Sequence, residues 1–196
     1  MKNIKILLGV LCAVFCAGLV ASASDAPPTA LQLIKLGDRY VGDQSRDKVL
    51  TVYSDKSFGG VTPTIWYVDY YDPDAKFKIV EVQFGADLKL GVKRPWKLVG
   101  GKGDLGNLLD LDEIKIDSDN ALQIAISQQV FKPLTFKASQ MWLEREAGEP
   151  VWKVRLWCAQ LDNPEATVEV GDVYVSAKDG KVVRADLHLE FLNQQH

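Results

Sequence analysis

The predicted secondary-structure elements follow the same order on both sides of a glycine-rich segment in the middle of the chain. In the first half, Thr29 is the predicted N-cap of a helix whose apolar positions extend to Tyr40. In the second half, Ser118 is the predicted N-cap of a helix that extends to Val130. Strand-like runs follow each helix, near 48–55, 63–71, 76–84 and 87–93, and near 134–144, 150–159, 167–177 and 181–191. This order requires each helix to bury its apolar side against a sheet.

The two halves also share a short sequence pattern. Trp66 and Val68 match Trp152 and Val154 at the same place in the element order. We therefore predict an α+β fold of two tandem units, each a helix followed by a four-stranded antiparallel sheet. The units are predicted over 24–99 and 117–196, with a Gly-rich and acidic linker over 100–116. Because each helix covers one face of its sheet, the other face is predicted to be open.

The N-terminus has the pattern of a secretory signal peptide. Lys2 and Lys5 precede an apolar run from Ile6 to Val20, and cleavage is predicted after Ala23. We therefore predict a bacterial periplasmic or secreted protein. Removing 23 of the 196 residues leaves 173, and the loss of two lysines takes the formal charge from −3 to −5. An acidic exported chain is not expected to bind nucleic acid. Since no other apolar run approaches the ~20 residues that span a bilayer, no stable membrane insertion is expected after cleavage.

Two further patterns concern the second half. Cys158 is the one cysteine outside the predicted signal peptide, so no internal disulfide is expected, and it is predicted to be a small buried hydrophobe. Asp179-Gly180 predicts a two-residue hairpin turn. Alternation after this turn predicts that the following apolar residues face the core: Val183, Ala185, Leu187, Leu189 and Phe191.

Three segments of the second half resemble a PepSY-type domain. They are Asp119-Asn120-Ala121-Leu122-Gln123-Ile124-Ala125, Pro150-Val151-Trp152-Lys153-Val154, and 173–183 with its Asp179-Gly180 hairpin. The resemblance covers about 117–190. The first half departs from the pattern, because its last hairpin reads Phe84-Gly85-Ala86-Asp87-Leu88 without Asp-Gly. A tandem of such units is similar in layout to the beta-lactamase-inhibitor protein fold.

The resemblance implies a non-catalytic exported module. The roles proposed for such proteins are restraint of peptidases or other protein binding in the cell envelope, and the family supplies no catalytic residues. We therefore expect no enzymatic activity and no cofactor.

The motifs typical of catalytic or metal sites are incomplete. The segment Gly101-Lys102-Gly103-Asp104-Leu105-Gly106 matches a dinucleotide fingerprint, but no βαβ pattern surrounds it, so we interpret it as linker. An acidic run over 110–119 lacks EF-hand spacing and is interpreted as a solvated loop with a helix cap. His188 and His196 have no metal-ligand spacing, so no metal site is expected. Ser176, Asp186 and His188 lack the motifs that accompany a catalytic triad.

The face of each sheet away from its helix, here called the outer face, carries the candidate binding residues. In 151–158, Trp152 and Val154 are predicted to face the helix, so Arg155 and Trp157 face outward. A β-bulge near 139–140 would bring Trp142 to the same face. The candidates are Tyr67, Tyr71, Trp142, Arg155, Trp157, Tyr174, Arg184 and His188. Trp, Tyr and Arg dominate protein-binding hot spots, although these rings could instead cover the junction between the units or form cross-strand pairs.

These observations favour an exported non-catalytic protein that binds or inhibits an envelope protein, such as a peptidase, through open sheet faces. Two alternatives are a small-molecule or envelope-polymer binding protein and a structural envelope component. A deep pocket with a perturbed carboxylate or His188 would favour the first alternative. An outer face filled by the other half of the chain would favour the second. The partner, the oligomeric state and the orientation of the two units stay open.

Overall fold

The structure is a computed structural model and describes residues 27–85, 88–95, 104–161, 163–165 and 167–194. The predicted signal peptide, Gly100, Gly101, Gly103 and His196 lie outside the described residues. No helix within the described ranges is long and apolar enough to cross a membrane.

Within the described residues, the first half contains one α-helix and four strands, and so does the second. They are α1 (Ala30–Gly37), β1 (Val49–Ser54), β2 (Ile65–Tyr71), β3 (Ile79–Gly85) and β4 (Leu88–Lys93), then α2 (Ser118–Ile126), β5 (Leu134–Glu146), β6 (Glu149–Gln160), β7 (Val168–Ser176) and β8 (Val182–Leu187). Short 3-10 helices cover Leu105–Asn107, Gln129–Phe131 and Leu189–Gln194. The α+β fold class predicted from the sequence is confirmed.

All eight strands of the described residues form one antiparallel sheet, in the order β4-β3-β2-β1-β5-β6-β7-β8. The sequence predicted two four-stranded sheets, whereas the structure joins the two sets of strands edge to edge. The junction is the pairing of β1 with β5, where Val52 lies opposite Leu143 and Tyr53 opposite Trp142. This pairing covers two strand edges that would otherwise expose unpaired backbone groups.

Apolar side chains from both halves form a shared core on the helix side of the sheet. Trp66 of β2 and Trp152 of β6 are both buried, and their rings pack edge to face with centroids 6.5 Å apart. Each indole N–H is satisfied, since Trp66 donates to Pro63 O at 3.2 Å and Trp152 to Ile116 O at 2.8 Å. The two matching tryptophans of the sequence therefore meet across the junction.

The N-termini of the two helices share Asp117 as a hydrogen-bond acceptor. Asp117 is the N-cap of α2, one residue before the predicted Ser118, and its Oδ1 accepts from Ser118 N at 2.7 Å. The same oxygen accepts from Leu31 N of α1 at 3.1 Å, and Ser118 Oγ accepts from Ala30 N at 3.0 Å. Side chains of the second half thus satisfy backbone donors of the first helix, which would otherwise lack partners.

Both helices are shorter than the apolar pattern predicted. α1 ends at Gly37, which leaves Tyr40 outside the helix and exposed. α2 ends at Ile126, and Val130 lies exposed in a following 3-10 turn.

The last strand also differs from its prediction. β8 ends at Leu187, and the turn before it spans 177–180, because Ser176 N donates to Lys181 O. A register shift leaves Val183 without a partner on β7, and its side chain is 57% exposed. Ala185 and Phe191, predicted to face the core, are also exposed, whereas Leu187 and Leu189 pack against it. Because β8 is the edge of the sheet and the chain leaves it early, it buries less apolar surface than predicted.

We predict that Gly37→Ala destabilises the fold, because its Cβ would overlap the buried hydroxyl group of Tyr70. That hydroxyl donates to Ile34 O at 2.8 Å, which fixes α1 against the sheet. Forcing atoms into a packed site costs about 1–3 kcal/mol, more than the gain in helix propensity of about 1 kcal/mol. The free energy of unfolding in urea should fall by the difference.

The cost of Gly37→Ala should be smaller when Tyr70→Phe removes the overlapping oxygen. Gly91→Ala is the matched control, because no atom lies within 4 Å of its added Cβ. An unchanged cost of Gly37→Ala in the Tyr70→Phe background would show that the overlap is not its cause.

Candidate functional site

The outer face is the side of the sheet opposite the helices, and one row of directly paired residues crosses all eight strands on it. From β4 to β8 this central row is Gly91, Gln83, Tyr67, Tyr53, Trp142, Lys153, Tyr174 and Arg184. Trp142 reaches this face because β5 has a register shift between Phe136 and Ala138. A bulge was predicted from the sequence, but near 139–140. Since the two halves lie side by side in one sheet, neither half covers the outer face of the other.

Cationic side chains lie over aromatic rings throughout the second half of this face. Arg184 lies over Tyr174, with its guanidinium carbon 3.7 Å from the ring centroid. Lys153 lies between Trp142 and Tyr174, at 5.2 and 5.9 Å from their centroids, and Arg155 lies 5.5 Å from that of Trp142. Cations within about 6 Å of a ring centroid are attracted by the ring quadrupole. Tyr174 is only 8% exposed, so Arg184 presents the outer surface at this point.

Asp172 holds two of these cations in place. Arg155 donates to both carboxylate oxygens, at 2.8 and 3.1 Å, and Lys153 approaches at 3.2 Å. Despite its burial, which acts in the opposite direction, these partners lower the pKa of Asp172, and Asp172 raises that of Arg155. The bidentate pair fixes the guanidinium plane, so this part of the face is ordered before any partner binds.

The loop between β1 and β2 extends the outer face beyond the ends of its strands. Lys56 lies 4.2 Å from the ring centroid of Trp157. The next residue, Ser57, is buried and donates its N–H to Ser139 O at 2.8 Å, and its Oγ accepts from Ser139 N at 2.9 Å. Phe58 follows this anchor and is 97% exposed. The Ser57–Ser139 hydrogen bonds therefore anchor the loop segment that carries Lys56 and Phe58.

The first half of the outer face is acidic and aromatic. The rings of Tyr53 and Tyr67 stack with centroids 4.7 Å apart and an interplanar angle of 10°. Tyr53 donates to Glu81 at 2.7 Å, and Tyr67 donates to Asp55 at 3.1 Å. Both tyrosines therefore present their rings, while their hydroxyl groups are bound to carboxylates.

Asp69 is the most perturbed carboxyl group of this face. It lies directly opposite Glu81 on β3, and its Oδ1 is buried with no hydrogen-bond partner in the described part of the chain. Burial and the nearby charge of Glu81 raise the pKa of Asp69 to about 7. Asp69 therefore titrates near neutral pH, but it lies on the sheet face and not in a pocket.

Most, but not all, of the eight candidate residues lie close together. Trp142, Arg155, Tyr174 and Arg184 share the contacts above, and Trp157 lies two residues beyond Arg155 on β6. Tyr71 lies at the far end of β2, four residues beyond Tyr67 and in the opposite direction along the sheet from Trp157. These two residues therefore lie toward opposite strand ends of the outer face.

His188 lies outside the strands, where its Nδ1 is 3.6 Å from Glu190 and its ring is 5.6 Å from that of Phe191. Asp186 is bound to Arg184 at 2.9 Å. Among the described residues, no hydrogen bond or ion pair joins His188 to Asp186 or Ser176. No group of three or more metal-ligating residues occurs in the described ranges.

Several residues of the outer face were not among the candidates selected from the sequence. Lys153 lies on the outer face by the same alternation that selected Arg155, and Tyr53 alternates with buried Val52 and Ser54. Lys56 and Phe58 lie in a loop, where no periodicity indicates direction. The buried position predicted for Cys158 is confirmed, and burial raises the pKa of its thiol to about 12, so it is a poor nucleophile.

A cleft of about 280 Å³ lies on the other side of the sheet, where the N-termini of α1 and α2 meet the β1–β2 loop. Its apolar wall includes Pro27, Pro63, Trp66 and Met141, and Asn120 and Gln123 of α2 line it as well. Neither Asp69 nor His188 lines it. The perturbed carboxylate and the cleft are therefore separate features.

We predict that the stability of the Asp69→Asn variant relative to wild type is greater at pH 8 than at pH 4. Because the folded-state pKa of Asp69 is raised above its ordinary value of 3.8 to about 7, the folded state retains a proton that the unfolded state has lost. Wild-type stability should therefore decline relative to the variant across this window, by up to about 1.4 kcal/mol per pH unit.

Urea unfolding of both proteins from pH 4 to pH 8 measures this difference. Glu144→Gln, which removes an exposed carboxyl group on β5, two strands away from β2, is the control for the loss of a carboxyl group that is not buried. A constant difference between wild type and Asp69→Asn across the range would contradict the prediction.

No protein-family profile matches the chain, and no solved structure is significantly similar to it.

Proposed function

We propose that this chain is an exported, non-catalytic PepSY-like protein that binds a protein of the bacterial cell envelope through the outer face of its sheet. The observation that supports this most is the set of cation–ring contacts on the second half of that face. It extends from Lys56 over Trp157 to Arg184 over Tyr174. Trp, Tyr and Arg in a fixed arrangement provide large contact area at low entropic cost, which is typical of binding hot spots.

The ion pairs support binding rather than catalysis as the role of these residues. Arg155 and Lys153 are both bound to Asp172, and Arg184 is bound to Asp186 and to Glu146 at 2.7 Å. These partners hold the cations as an ordered surface. A protein partner would then add contacts to a surface that already has its bound geometry.

We also infer that the halves are two copies of one helix-plus-four-strand unit. The strands lie in mirrored order away from the β1–β5 junction, so β2 corresponds to β6 and β3 to β7. On this basis Trp66 corresponds to Trp152, and the opposed pair Asp69 and Glu81 corresponds to Arg155 and Asp172. The first unit has two carboxylates where the second has an ion pair, which supports recognition mainly by the second.

The proposed partner is a peptidase or another protein of the periplasm or the extracellular space. We predict that Trp157→Ala weakens binding by about 30-fold or more, the effect of losing a hot-spot side chain of about 2 kcal/mol. Partners are captured with purified protein from a native envelope extract and identified by mass spectrometry. Each is then purified and titrated by calorimetry, and a captured peptidase is also assayed for inhibition.

Tyr71→Ala separately tests the other strand end of the outer face. Val130→Ala, an exposed apolar position near α2, is the control. Circular dichroism establishes that each variant folds. If Trp157→Ala and Arg155→Gln both leave the dissociation constant unchanged, the second half of the outer face is not the binding surface.

The cleft between the helix N-termini favours a second candidate function, binding of a small molecule or a segment of an envelope polymer. Its volume of about 280 Å³ is near the lower end of the range for ligand sites, and its walls combine apolar residues with a few polar groups. A ligand there would lie against Trp66 and Met141, away from the outer face.

We predict that Thr62→Trp, an exposed position at this cleft, blocks such a ligand without disturbing the outer face. Native mass spectrometry of protein isolated from its own envelope would show the wild type with an added mass and the variant without it. Wild-type protein with no added mass, or equal loading of both proteins, would contradict a ligand in the cleft.

A further inference from the structure

The two edges of the eight-stranded sheet are β4 and β8, and they differ in charge. β4 carries Lys89 and Lys93, so a second β4 placed against it would bring like charges together. β8 carries Arg184 and Asp186, which flank Ala185, and all three are exposed. Of these two edge strands, only β8 carries charges of both signs. Only β8 can therefore place opposite charges against each other when it pairs with a second copy of itself.

No strand of the described residues pairs with the outer edge of β8, so its backbone presents hydrogen-bonding groups there. His188 N donates to Val170 O, so the backbone N–H of His188 points toward β7. Asp186 and Arg184, two and four residues earlier in the chain, lie opposite Asp172 and Tyr174, so their backbone groups point toward β7 as well. Since backbone direction alternates along an antiparallel strand, the N–H and C=O groups of Ala185 and Leu187 point away from β7. The outer edge therefore carries the donors and acceptors that an added strand requires.

The sequence of β8 is symmetric about Ala185. Reading outward from Ala185, Arg184 and Asp186 come first, and Val183 and Leu187 come next. In an antiparallel pair with a two-fold axis at Ala185, Arg184 of each copy lies opposite Asp186 of the other. Val183 likewise lies opposite Leu187. The axis falls on a residue whose backbone groups point to the free edge, as a hydrogen-bonded pair requires.

We propose that β8 pairs with β8 of a second copy of this chain, which makes a symmetric dimer with a continuous sixteen-stranded sheet. A two-fold interface uses the same patch on both copies, so each favourable pair occurs twice. Arg184 and Asp186 would lie in non-hydrogen-bonded positions, where facing side chains are closest. The apolar side chain of Val183, which is 57% exposed in the single chain, would gain a neighbour.

The register shift at Val183 limits the length of this pairing. It leaves 184–187 as the regular part of the strand, with Val183 at its border. The contact is therefore short, and the dimer should form reversibly, with a population that rises with protein concentration. It would bring the Tyr174 and Arg184 regions of both outer faces next to each other.

Charge exchange tests this pairing. Arg184→Asp places carboxylates opposite each other in both symmetric pairs, and Asp186→Arg does the same with guanidinium groups. Each variant should raise the dimer dissociation constant by about tenfold or more in sedimentation velocity. The double variant Arg184→Asp/Asp186→Arg should dimerise again, and an equimolar mixture of the two single variants should form a heterodimer.

Lys132→Asp, an exposed charge reversal outside β8, is the matched control and should leave dimerisation unchanged. Circular dichroism of each single variant establishes folding, and their mixture tests the pairing with two folded proteins. Hydrogen exchange should show the amides of Ala185 and Leu187 protected at high concentration only. The proposal would be overturned if the wild-type protein stays monomeric at all concentrations, or if the charge exchange leaves the dimer dissociation constant unchanged.

Discussion

The pairing of β1 with β5 is the contact on which the rest of the molecule depends. It converts two sets of four strands into one sheet and places Trp66 against Trp152 beneath the junction. It also brings the helix N-termini together, so that Asp117, the N-cap of α2, and Ser118 accept backbone N–H groups of α1. Neither half alone would have this shared core, and α1 alone would lack its two acceptors from the second half, so we expect the halves to fold cooperatively.

The same junction determines what the outer face can do. Because both halves contribute to one continuous sheet, the central row runs without interruption from the tyrosine stack of β1 and β2 to Arg184 on β8. The charges are unevenly distributed along it. The first half has the carboxylates of Asp69 and Glu81 opposite each other, whereas the second half has Arg155 bound to Asp172. The two halves therefore offer different surfaces despite their similar architecture.

The sequence predicted the features that depend on local periodicity. Alternation along β6 correctly placed Arg155 and Trp157 opposite the buried Trp152. Trp142 reaches the same face as predicted, although the bulge lies between Phe136 and Ala138 and not near 139–140. It could not predict that β1 pairs with β5, because that contact joins residues about ninety positions apart. It also placed Val183 and Phe191 in the core, since alternation does not show that a strand is an edge or where it ends. Phe58 and Lys56 depend on a loop held by Ser57 and Ser139, which no periodic pattern encodes.

The position of Arg184 connects the outer face to the sheet edge. Its guanidinium lies over Tyr174, while its Nη1 binds Glu146 and its Nε binds Asp186. Exposed ion pairs of this kind contribute little to stability, because water and salt compete for both partners. Their greater effect is on orientation, since a guanidinium held by a ring and two carboxylates has few alternative rotamers. A charge fixed in this way discriminates between approaching surfaces by sign, and that selectivity applies equally to a partner on the face and to a strand at the edge.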